Sequence, residues 1–373
     1  MGRPPKQTTL TETTTKKTAQ ELQKEINAIF KSKVLKLGSD DDLIVEYLPT
    51  GVLPVDLLLH GGLPRGRFVE FYGAYSSLKS YIGLRAIAET QKSGGVCALV
   101  DTEHSFDPVW AKQIGVDTKT LIIVKPKTGE LAMDAVETLL EGEVDLIVFD
   151  SIAASLPQAE RNRKLNDEAI QMARLAFLMS VAMRKLTSAN GKTAVMWINQ
   201  LRMNVGVTFG NPETTPGGKA MEFYASYRIN MKKIGKITNE VEIWDGETMV
   251  KSKEQVGQKI KMTVEKSKLS KPFRDVIFTW DFKKGGIDEF GFLFGLAMEQ
   301  GIIVKEGTTK WLYKEEVTSG REKFQKLFLD DPKMMNQLKK EVLNQNLGGT
   351  EKVAEAPKSK VVKRKPNISK RTK

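Results

Sequence analysis

Residues 67–80, with the sequence RFVEFYGAYSSLKS, constrain the fold of this chain more than any other stretch. A short apolar run ends at Gly73 and passes through residues 76–80 into a helical pattern. A strand, a tight turn and a helix in this order form a phosphate-binding loop, whose backbone N–H groups face nucleotide phosphates. Lys79 would reach the β- and γ-phosphates, and the Ser80 hydroxyl would bind Mg²⁺. Leu78 replaces the second glycine of the usual pattern, so the loop taken alone leaves an ordinary strand–helix turn as an alternative.

Short Val/Ile/Leu-rich runs alternate with helical patterns along the first 200 residues or so. The predicted strands cover 67–72, 96–101, 120–124, 144–150 and 193–198, and the predicted helices cover 79–92, 107–114, 129–141 and 167–189. This alternation predicts a mostly parallel sheet covered on both faces, with ligands bound beyond the carboxyl ends of the strands. Residues 76–80, 101–104, 150–151 and 199–200 should therefore share one sheet edge. Further strands are predicted at 224–233, 258–265 and 274–282.

Composition excludes several classes of protein. The chain has no apolar run of 18 residues and no apolar N-terminal signal core, so neither a membrane span nor secretion is expected. One cysteine and two histidines are too few for a protein zinc site. Cys97 lies in an apolar run and is expected to be a core residue of a cytoplasmic protein.

The net charge of +12 is concentrated at the two ends of the chain. Residues 351–373 carry nine basic and two acidic side chains, and residues 1–17 carry four basic and one acidic. Such tails attract nucleic acid, although a solubilising disordered tail is an equally good interpretation. The predicted organisation is a disordered segment 1–17, a helix and linker 18–40, a core 41–286, a small α/β domain 287–347 and a disordered tail 348–373.

Two acidic residues follow predicted strands at the same sheet edge. Asp150 ends the run VDLIVFD, where a carboxylate would hold Mg²⁺ through water opposite a phosphate loop. Glu103 follows the preceding strand and is placed to orient or deprotonate the water that attacks the γ-phosphate. Alternatives stay open, because any buried strand can end in Asp and Glu103 could cap a helix or pair with a lysine.

Two irregular segments carry groups suited to nucleic acid. The segment 199–218, NQLRMNVGVTFGNPETTPGG, interleaves polar, basic and apolar side chains, which suits a single strand whose phosphates are held and whose bases are stacked. A second gap, at about 156–167, contains Arg161, Arg163 and Lys164. A disordered surface loop is the alternative for the first segment.

From about residue 20 to residue 347 the chain resembles the bacterial RecA recombinases. The resemblance lies in GVLPVDLLLHGGLPRGRFVEFYG (51–73), DTEHSFDPVWAKQIGVD (101–117), VDLIVFDSIAA (144–154), INQLRMNVGVTFGNPETTPGG (198–218) and FYASYRI (223–229). The NPETTPGG segment separates this family from other phosphate-loop ATPases, including hexameric helicases. The resemblance implies an α/β fold: a RecA-like core, an N-terminal polymerisation helix and a small C-terminal α/β domain.

The resemblance implies roles at the ATP site, with ATP and Mg²⁺ as cofactors. The residues implied in binding nucleotide are Gly73, Ala74, Tyr75, Ser76, Ser77, Leu78, Lys79, Ser80, Asp107, Trp110 and Asp150, with Ser80 and Asp150 at the metal. Asp107 and Trp110 would hold the adenine, and Glu103 would activate water. Gln200 would sense the γ-phosphate, while Lys266 and Lys268 would reach it from the neighbouring subunit.

It also implies DNA contacts and a helical filament. The residues implied in binding DNA are Arg161, Arg163, Lys164, Arg184, Arg202, Asn204, Val205, Thr208 and Phe209, with Lys232, Lys233, Lys259 and Lys261 for an incoming duplex. Val205 would wedge between bases, and the helix at 18–31 would pack on the next protomer through Phe30. The implied partners are single- and double-stranded DNA, further copies of the chain, single-strand-binding protein and loading factors, with no membrane.

The implied function is a single-stranded-DNA-dependent ATPase that catalyses homologous pairing and strand exchange. An ATP-binding coating protein with little hydrolysis is the alternative. Leu78, Phe177 in place of a DNA-facing arginine, and the basic tail depart from the family pattern. The first and third departures suggest a phage or mobile-element origin, which would place the protein in the cytoplasm of a bacterium or of a phage-infected host.

Overall fold

The structure, a computed structural model, describes residues 17–162, 171–203, 210, 212–244, 246 and 248–347. Its helices are α1 (Ala19–Phe30), α2 (Leu53–Leu58), α3 (Lys79–Lys92), α4 (Pro108–Ile114), α5 (Gly129–Glu141), α6 (Gln158–Arg161), α7 (Gln171–Ala189), α8 (Ala220–Tyr224), α9 (Glu289–Glu299), α10 (Arg321–Asp330) and α11 (Pro332–Leu347). Its strands are β1 (Tyr47–Leu48), β2 (Leu63–Pro64), β3 (Phe68–Gly73), β4 (Cys97–Asp101), β5 (Ile122–Val124), β6 (Leu146–Asp150), β7 (Ala194–Gln200), β8 (Arg202–Met203), β9 (Glu213–Thr214), β10 (Tyr227–Trp244), β11 (Met249–Ser267), β12 (Asp275–Asp281), β13 (Gly286–Ile287), β14 (Val304–Glu306), β15 (Lys310–Tyr313) and β16 (Glu316–Ser319).

A nine-stranded sheet in the order β13-β12-β11-β10-β3-β7-β6-β4-β5 forms the centre of the protein. The six strands from β10 to β5 run parallel, and β11 to β13 extend the sheet antiparallel. Strands β3, β4 and β6 are buried along their whole length, as expected for parallel strands covered on both faces. The predicted mostly parallel α/β fold is therefore confirmed, and the carboxyl ends of the strands meet at one edge.

Two apolar clusters cover the two faces of this sheet. One includes α2, α3 and α4 side chains such as Val55, Ile82 and Ala111, packed against β3 and β10. The other includes Val136 of α5 and Met179 of α7, packed around Trp197. Cys97 is a buried residue of the first cluster, as the sequence predicted. The helices α3, α5 and α7 are thereby fixed against the strands that precede the functional loops.

A third cluster combines Leu53 of α2 with side chains between Leu293 and Val342, and it is rich in aromatic residues. Phe294, Trp311, Phe324 and Phe328 are fully or almost fully buried there, and their ring centroids lie 5.3–6.1 Å apart in successive pairs. Strands β14 to β16 form a separate three-stranded antiparallel sheet. None of the helices in the described ranges combines the length and apolar character that a membrane crossing requires.

The largest departure from the predicted strands is the pair β10–β11. The sequence predicted strands at 224–233 and 258–265, but the two strands stay paired as far as Trp244 opposite Met249. The sheet neighbours stop earlier, since β3 pairs with β10 only to Met231 and β12 pairs with β11 only from Gly257. Residues 234–256 thus include a two-stranded extension of the sheet, the β10–β11 ribbon.

The ribbon escaped prediction because its charges obscure the period-two pattern. Glu240 lies opposite Lys253, and Glu242 lies opposite Lys251. Opposite charges facing each other across two strands stabilise the pairing, but in the sequence they resemble polar, irregular chain. Only the register of the hairpin shows that these residues form complementary pairs.

Candidate functional site

The loop after β3 closes around the ammonium group of Lys79. Lys79 Nζ donates to the Gly73 and Ala74 carbonyls at 3.1 and 2.9 Å and to Ser77 Oγ at 3.1 Å. The side chain is buried, and its removal from water lowers the pKa of the ammonium. A cation held among oxygen acceptors at the N-terminus of α3 is suited to receive phosphate oxygens.

Gly73 and Leu78 occupy the two positions in this loop that favour glycine, each for a different reason. A Cβ on Gly73 would lie 2.2 Å from the Met231 carbonyl oxygen, so only glycine fits at the end of β3. Leu78 has φ 71° and ψ 16°, the left-handed conformation that favours glycine. The position that lacks the usual glycine therefore does need positive φ, and Leu78 is strained. Its side chain is half-buried and packs against the cluster around α3.

Replacing Leu78 with glycine should change the free energy of unfolding by less than about 1 kcal/mol, because two effects oppose each other. Relief of the left-handed strain contributes about 1–2 kcal/mol, while lost packing and added chain entropy cost a similar amount. Leu78→Ala keeps the strain but loses packing, so it should destabilise by about 1 kcal/mol. Urea unfolding of the three proteins measures the difference. A glycine variant less stable than the alanine variant would contradict this account.

Ser80 and Asp150 form a pair of oxygen ligands beside the loop. Ser80 Oγ donates to Asp150 Oδ2 at 2.5 Å, and the carboxylate is buried at the end of β6. Burial, opposed by the Ser80 hydrogen bond and reinforced by nearby Glu103, raises the pKa of Asp150 to about 6. Mg²⁺ prefers such hard oxygen ligands and completes its shell with water and phosphate, so the pair fits this cation. Within the described residues no group of three or more His, Cys, Asp and Glu side chains could hold a metal.

Glu103 lies where three strand ends converge. Its Oε1 accepts hydrogen bonds from Ser151 Oγ at 2.6 Å and from Gln200 Nε2 at 3.1 Å. The donors follow β6 and end β7, so the hydrogen bonds hold the carboxylate between neighbouring strands, and within the described residues it forms no helix cap and no close ion pair with a lysine. Ser151 had no predicted role, although its place directly after Asp150 is a signal that could have identified it.

The proposed adenine residues lie on and before α4. Asp107 caps this helix, since its Oδ1 accepts from the Val109 N–H at 2.8 Å. Trp110 is partly exposed on the first turn, where its ring is available for stacking. The preceding turn is fixed by Asp101, whose carboxylate accepts from the Ser105 and Phe106 N–H groups at 3.1 Å each.

Lys266 and Lys268 lie away from the phosphate loop of their own chain. Both ammonium groups donate to the Phe223 carbonyl, at 3.0 and 2.6 Å, and Lys266 also contacts the Glu222 carbonyl. In the sheet register, Lys266 of β11 lies opposite Arg228 of β10, and Arg228 lies opposite Glu70 of β3. Glu70 is three residues before Gly73. Three residues of strand span about 10 Å, so these lysines lie towards the amino end of β3 while the phosphate loop follows its carboxyl end.

The predicted nucleic-acid residues are only partly described. Arg163, Lys164, Asn204, Val205, Thr208 and Phe209 lie outside the described residues. Arg161 is exposed at the end of α6, and Arg202 is exposed on β8, which pairs with β9 inside the segment predicted to be irregular. A cavity of about 770 Å³ is lined by residues 153–157, Arg202, Met203, residues 214–218 and the start of α7. The structure therefore brings the roots of both loops to one opening.

Arg184 and the four lysines of the proposed duplex site are not part of that opening. Arg184 is exposed on α7 but lies eight residues beyond Ala176 of the cavity wall, about 12 Å along the helix. Lys232 pairs with Glu213 at 2.7 Å, and Lys261 pairs with Asp275. Lys259 is exposed, while Lys233 lies over the ring of Tyr75. Phe177 is exposed on α7.

A buried ion pair that the sequence did not reveal holds the end of the 199–218 segment. Glu70 in the middle of β3 is fully buried, and Arg228 Nε donates to its Oε2 at 2.5 Å. Asn199 donates to Glu70 Oε1 at 2.9 Å and to the Pro216 carbonyl at 3.0 Å. Arg228 also donates to Thr215 Oγ1 at 3.3 Å. The central strand is thereby connected to the segment that follows Gln200.

These features define a phosphate-loop nucleotide-binding protein whose acidic site residues follow adjacent parallel strands. The model of the RecA N-terminal domain family matches residues 16–287. The chain belongs to the RecA family and is a RecA-type recombinase. It is 43% identical over 318 residues to Protein RecA of Chlorobaculum tepidum, covering 84% of this chain and 87% of that protein. It is 41% identical over 317 residues to Protein RecA of Saccharopolyspora erythraea, with the same coverage.

Among solved structures, the chain is similar to the crystal structure of the RadB recombinase. The match covers 64% of this chain and 98% of that one, with 20% identity and a TM-score of 0.46. The family assignment depends on the sequence matches and not on this partial likeness. A phage origin for the chain stays a prediction.

Proposed function

We propose that this protein polymerises on single-stranded DNA as an ATP-dependent filament and catalyses homologous pairing and strand exchange with duplex DNA. The observation that carries this proposal is the Gln200–Glu103 hydrogen bond of 3.1 Å. Gln200 begins the segment whose root lines the cavity between the two loops, and Glu103 lies beside the Ser80–Asp150 pair. One side chain thus connects the proposed hydrolytic carboxylate to the proposed DNA loop.

Hydrolysis uses the chain's own groups in distinct roles. Lys79 and the N-terminus of α3 hold the phosphates, and Ser80 with Asp150 would hold Mg²⁺, which would neutralise phosphate charge. Glu103 accepts a proton from the water that attacks the γ-phosphorus, and ADP leaves with the electrons of the broken P–O bond. Gln200 moves with the state of the γ-phosphate and transmits that state to the loop.

Filament assembly is supported by two features of the single chain. Helix α1 has no buried residue, and its apolar Phe30 is 62% exposed. An amphipathic helix without a covered apolar face requires a partner surface, and the next copy of the chain supplies it. Lys266 and Lys268, near the amino end of β3, would then serve the ATP of an adjacent subunit, so hydrolysis depends on assembly.

The direct test combines ATPase and strand-exchange assays with ATP, ADP and a slowly hydrolysed analogue. Single-stranded DNA should stimulate ATP turnover, and ATP or the analogue, but not ADP, should support strand exchange. DNA coating without stimulated turnover or exchange would overturn the proposal in favour of the coating protein. We place the activity in the bacterial cytoplasm, where single-strand-binding protein and loading factors would compete for or deliver the same DNA.

Stimulated ATP turnover should fall at a pH above about 8, provided that Lys266 acts across the subunit interface. In the single chain, burial and the neighbouring charge of Lys268 lower the pKa of Lys266 to about 8. A nearby γ-phosphate favours the charged side chain, so the loss of cationic stabilisation should lie on the alkaline side of that value. Lys266→Arg keeps the charge and should flatten the alkaline limb. Lys251→Arg, on the distant part of β11, is the control and should keep the wild-type profile.

A further inference from the structure

The base of the β10–β11 ribbon contacts the phosphate loop at two points. Gln258 Nε2 donates to the Ser76 carbonyl at 3.2 Å, and Lys233 Nζ lies 4.0 Å from the centroid of the Tyr75 ring. Strand β10 runs parallel to β3 with Met231 opposite Gly73, so residues after Met231 continue past the edge where the loop begins. The ribbon therefore stands beside the loop.

The Gln258 contact falls on the part of the loop with the least favourable backbone. Ser76 and Leu78 have φ of 52° and 71°, and neither is glycine. Non-glycine residues in this conformation are strained and persist only where surrounding contacts hold them. The amide of Gln258 is one such contact and comes from a different strand.

The same contact fixes the direction of a donor in the loop. In a trans peptide the C=O of one residue and the N–H of the next point in opposite directions. Holding the Ser76 carbonyl towards Gln258 turns the Ser77 N–H away from the ribbon. Ser77 is buried, and its Oγ donates to the Ala74 carbonyl and accepts from Lys79 Nζ. The orientation of this peptide thus affects the interior of the loop where Lys79 lies.

We propose that Gln258 is a positioning residue for the phosphate loop, which sets ATP affinity by holding the 76–77 peptide in its binding orientation. The inference deepens the proposed ATP site and needs only nucleotide binding, not filament formation or strand exchange. Because the hydrogen bond is made by the ribbon, the ribbon becomes a structural support of the ATP site. The Lys233–Tyr75 contact is the second support.

The test is nucleotide affinity of the full chain without DNA, measured with a fluorescent ATP analogue and Mg²⁺. Gln258→Ala removes the amide donor and should weaken binding about five-fold, the effect of one net hydrogen bond. Gln258→Glu removes the same donor and also adds a negative charge beside the phosphates, so it should weaken binding further. Gln255→Ala is the matched control, because Gln255 lies on the same strand but donates to the Gly257 carbonyl. It should keep the wild-type affinity.

DNA-stimulated ATP turnover distinguishes a residue that positions the loop from one that takes part in the chemical step. Gln258→Ala should raise the KM for ATP about five-fold with kcat nearly unchanged, since the loss is in binding. Unchanged affinity in both Gln258 variants, or an equal loss in Gln255→Ala, would overturn the inference. If the wild-type protein binds the analogue but shows no stimulated turnover, the proposed function fails while the binding comparison still decides this inference.

Discussion

Glu103→Gln should lower single-stranded-DNA-stimulated ATP turnover by about 10²–10⁴-fold, the usual effect of removing a general base. Glutamine keeps the shape of the side chain and an oxygen that accepts the Ser151 hydrogen bond, but it does not take a proton from water. ATP should still bind, because Glu103 makes its hydrogen bonds to Ser151 and Gln200 and acts on Lys79 and Asp150 only through its charge. Filaments should form and persist with ATP bound.

The matched control is Glu137→Gln. Glu137 is a carboxylate of α5 that pairs with Lys185 at 2.8 Å, outside the site. This variant should turn over ATP at the wild-type rate. If Glu103→Gln retains more than about a tenth of the wild-type kcat, Glu103 is not the base and the effect falls below the expected range. Filament images recorded with ATP would then decide whether hydrolysis or assembly had changed.

Residues at the ends of buried strands were the part of the site most accessible from sequence. Asp150, Glu103 and Gln200 each follow or end an apolar run, and parallel strands bring such residues to one edge without further information. The long-range partners follow from the same topology, since β6 and β7 are neighbours in the sheet. The same reasoning placed Ser151 at this edge, although it assigned Ser151 no role.

The backbone conformation of the phosphate loop and the register of the strands could not be predicted from the sequence in this way. The residue types at positions 76–78 do not predict the positive φ of Ser76 and Leu78, because the loop closes through contacts with Lys79 and Gln258. The ribbon beyond Met231 depends on cross-strand pairs of opposite charge, which have meaning only once the hairpin register is known. The position of Lys266 near the amino end of β3 likewise follows from strand pairing rather than from spacing in sequence.

The pair Glu70–Arg228 shows why a polar residue inside an apolar run is easily overlooked. Glu70 interrupts the strand pattern of β3 and would be expected at the surface, yet it is fully buried and paired with an arginine 158 residues later. A buried carboxylate without its cationic partner destabilises the folded protein, so each residue of the pair constrains the other. Their further bonds to Asn199 and Thr215 extend that constraint to both ends of the 199–218 segment.

Arg228→Met should therefore lower the free energy of unfolding by about 3–5 kcal/mol, because it leaves the Glu70 carboxylate buried without a cation. Arg228 is itself only 12% exposed, so water does not replace it easily. Glu70→Gln/Arg228→Met removes the charge as well and should recover part of the loss. Urea unfolding gives the midpoints, and single-stranded-DNA affinity reports on the loop, which loses the Thr215 hydrogen bond in both variants.

Lys185→Met is the control, because it breaks the exposed Lys185–Glu137 pair and should cost at most about 1 kcal/mol. A loss in Arg228→Met no larger than in this control would show that water or a local shift compensates Glu70. A loss of stability that the double variant fails to relieve would assign the effect to packing of the arginine stem instead of its charge. Stability recovered in the double variant while DNA affinity stays low would show that Arg228 acts on the loop through Thr215, separately from its role in the core.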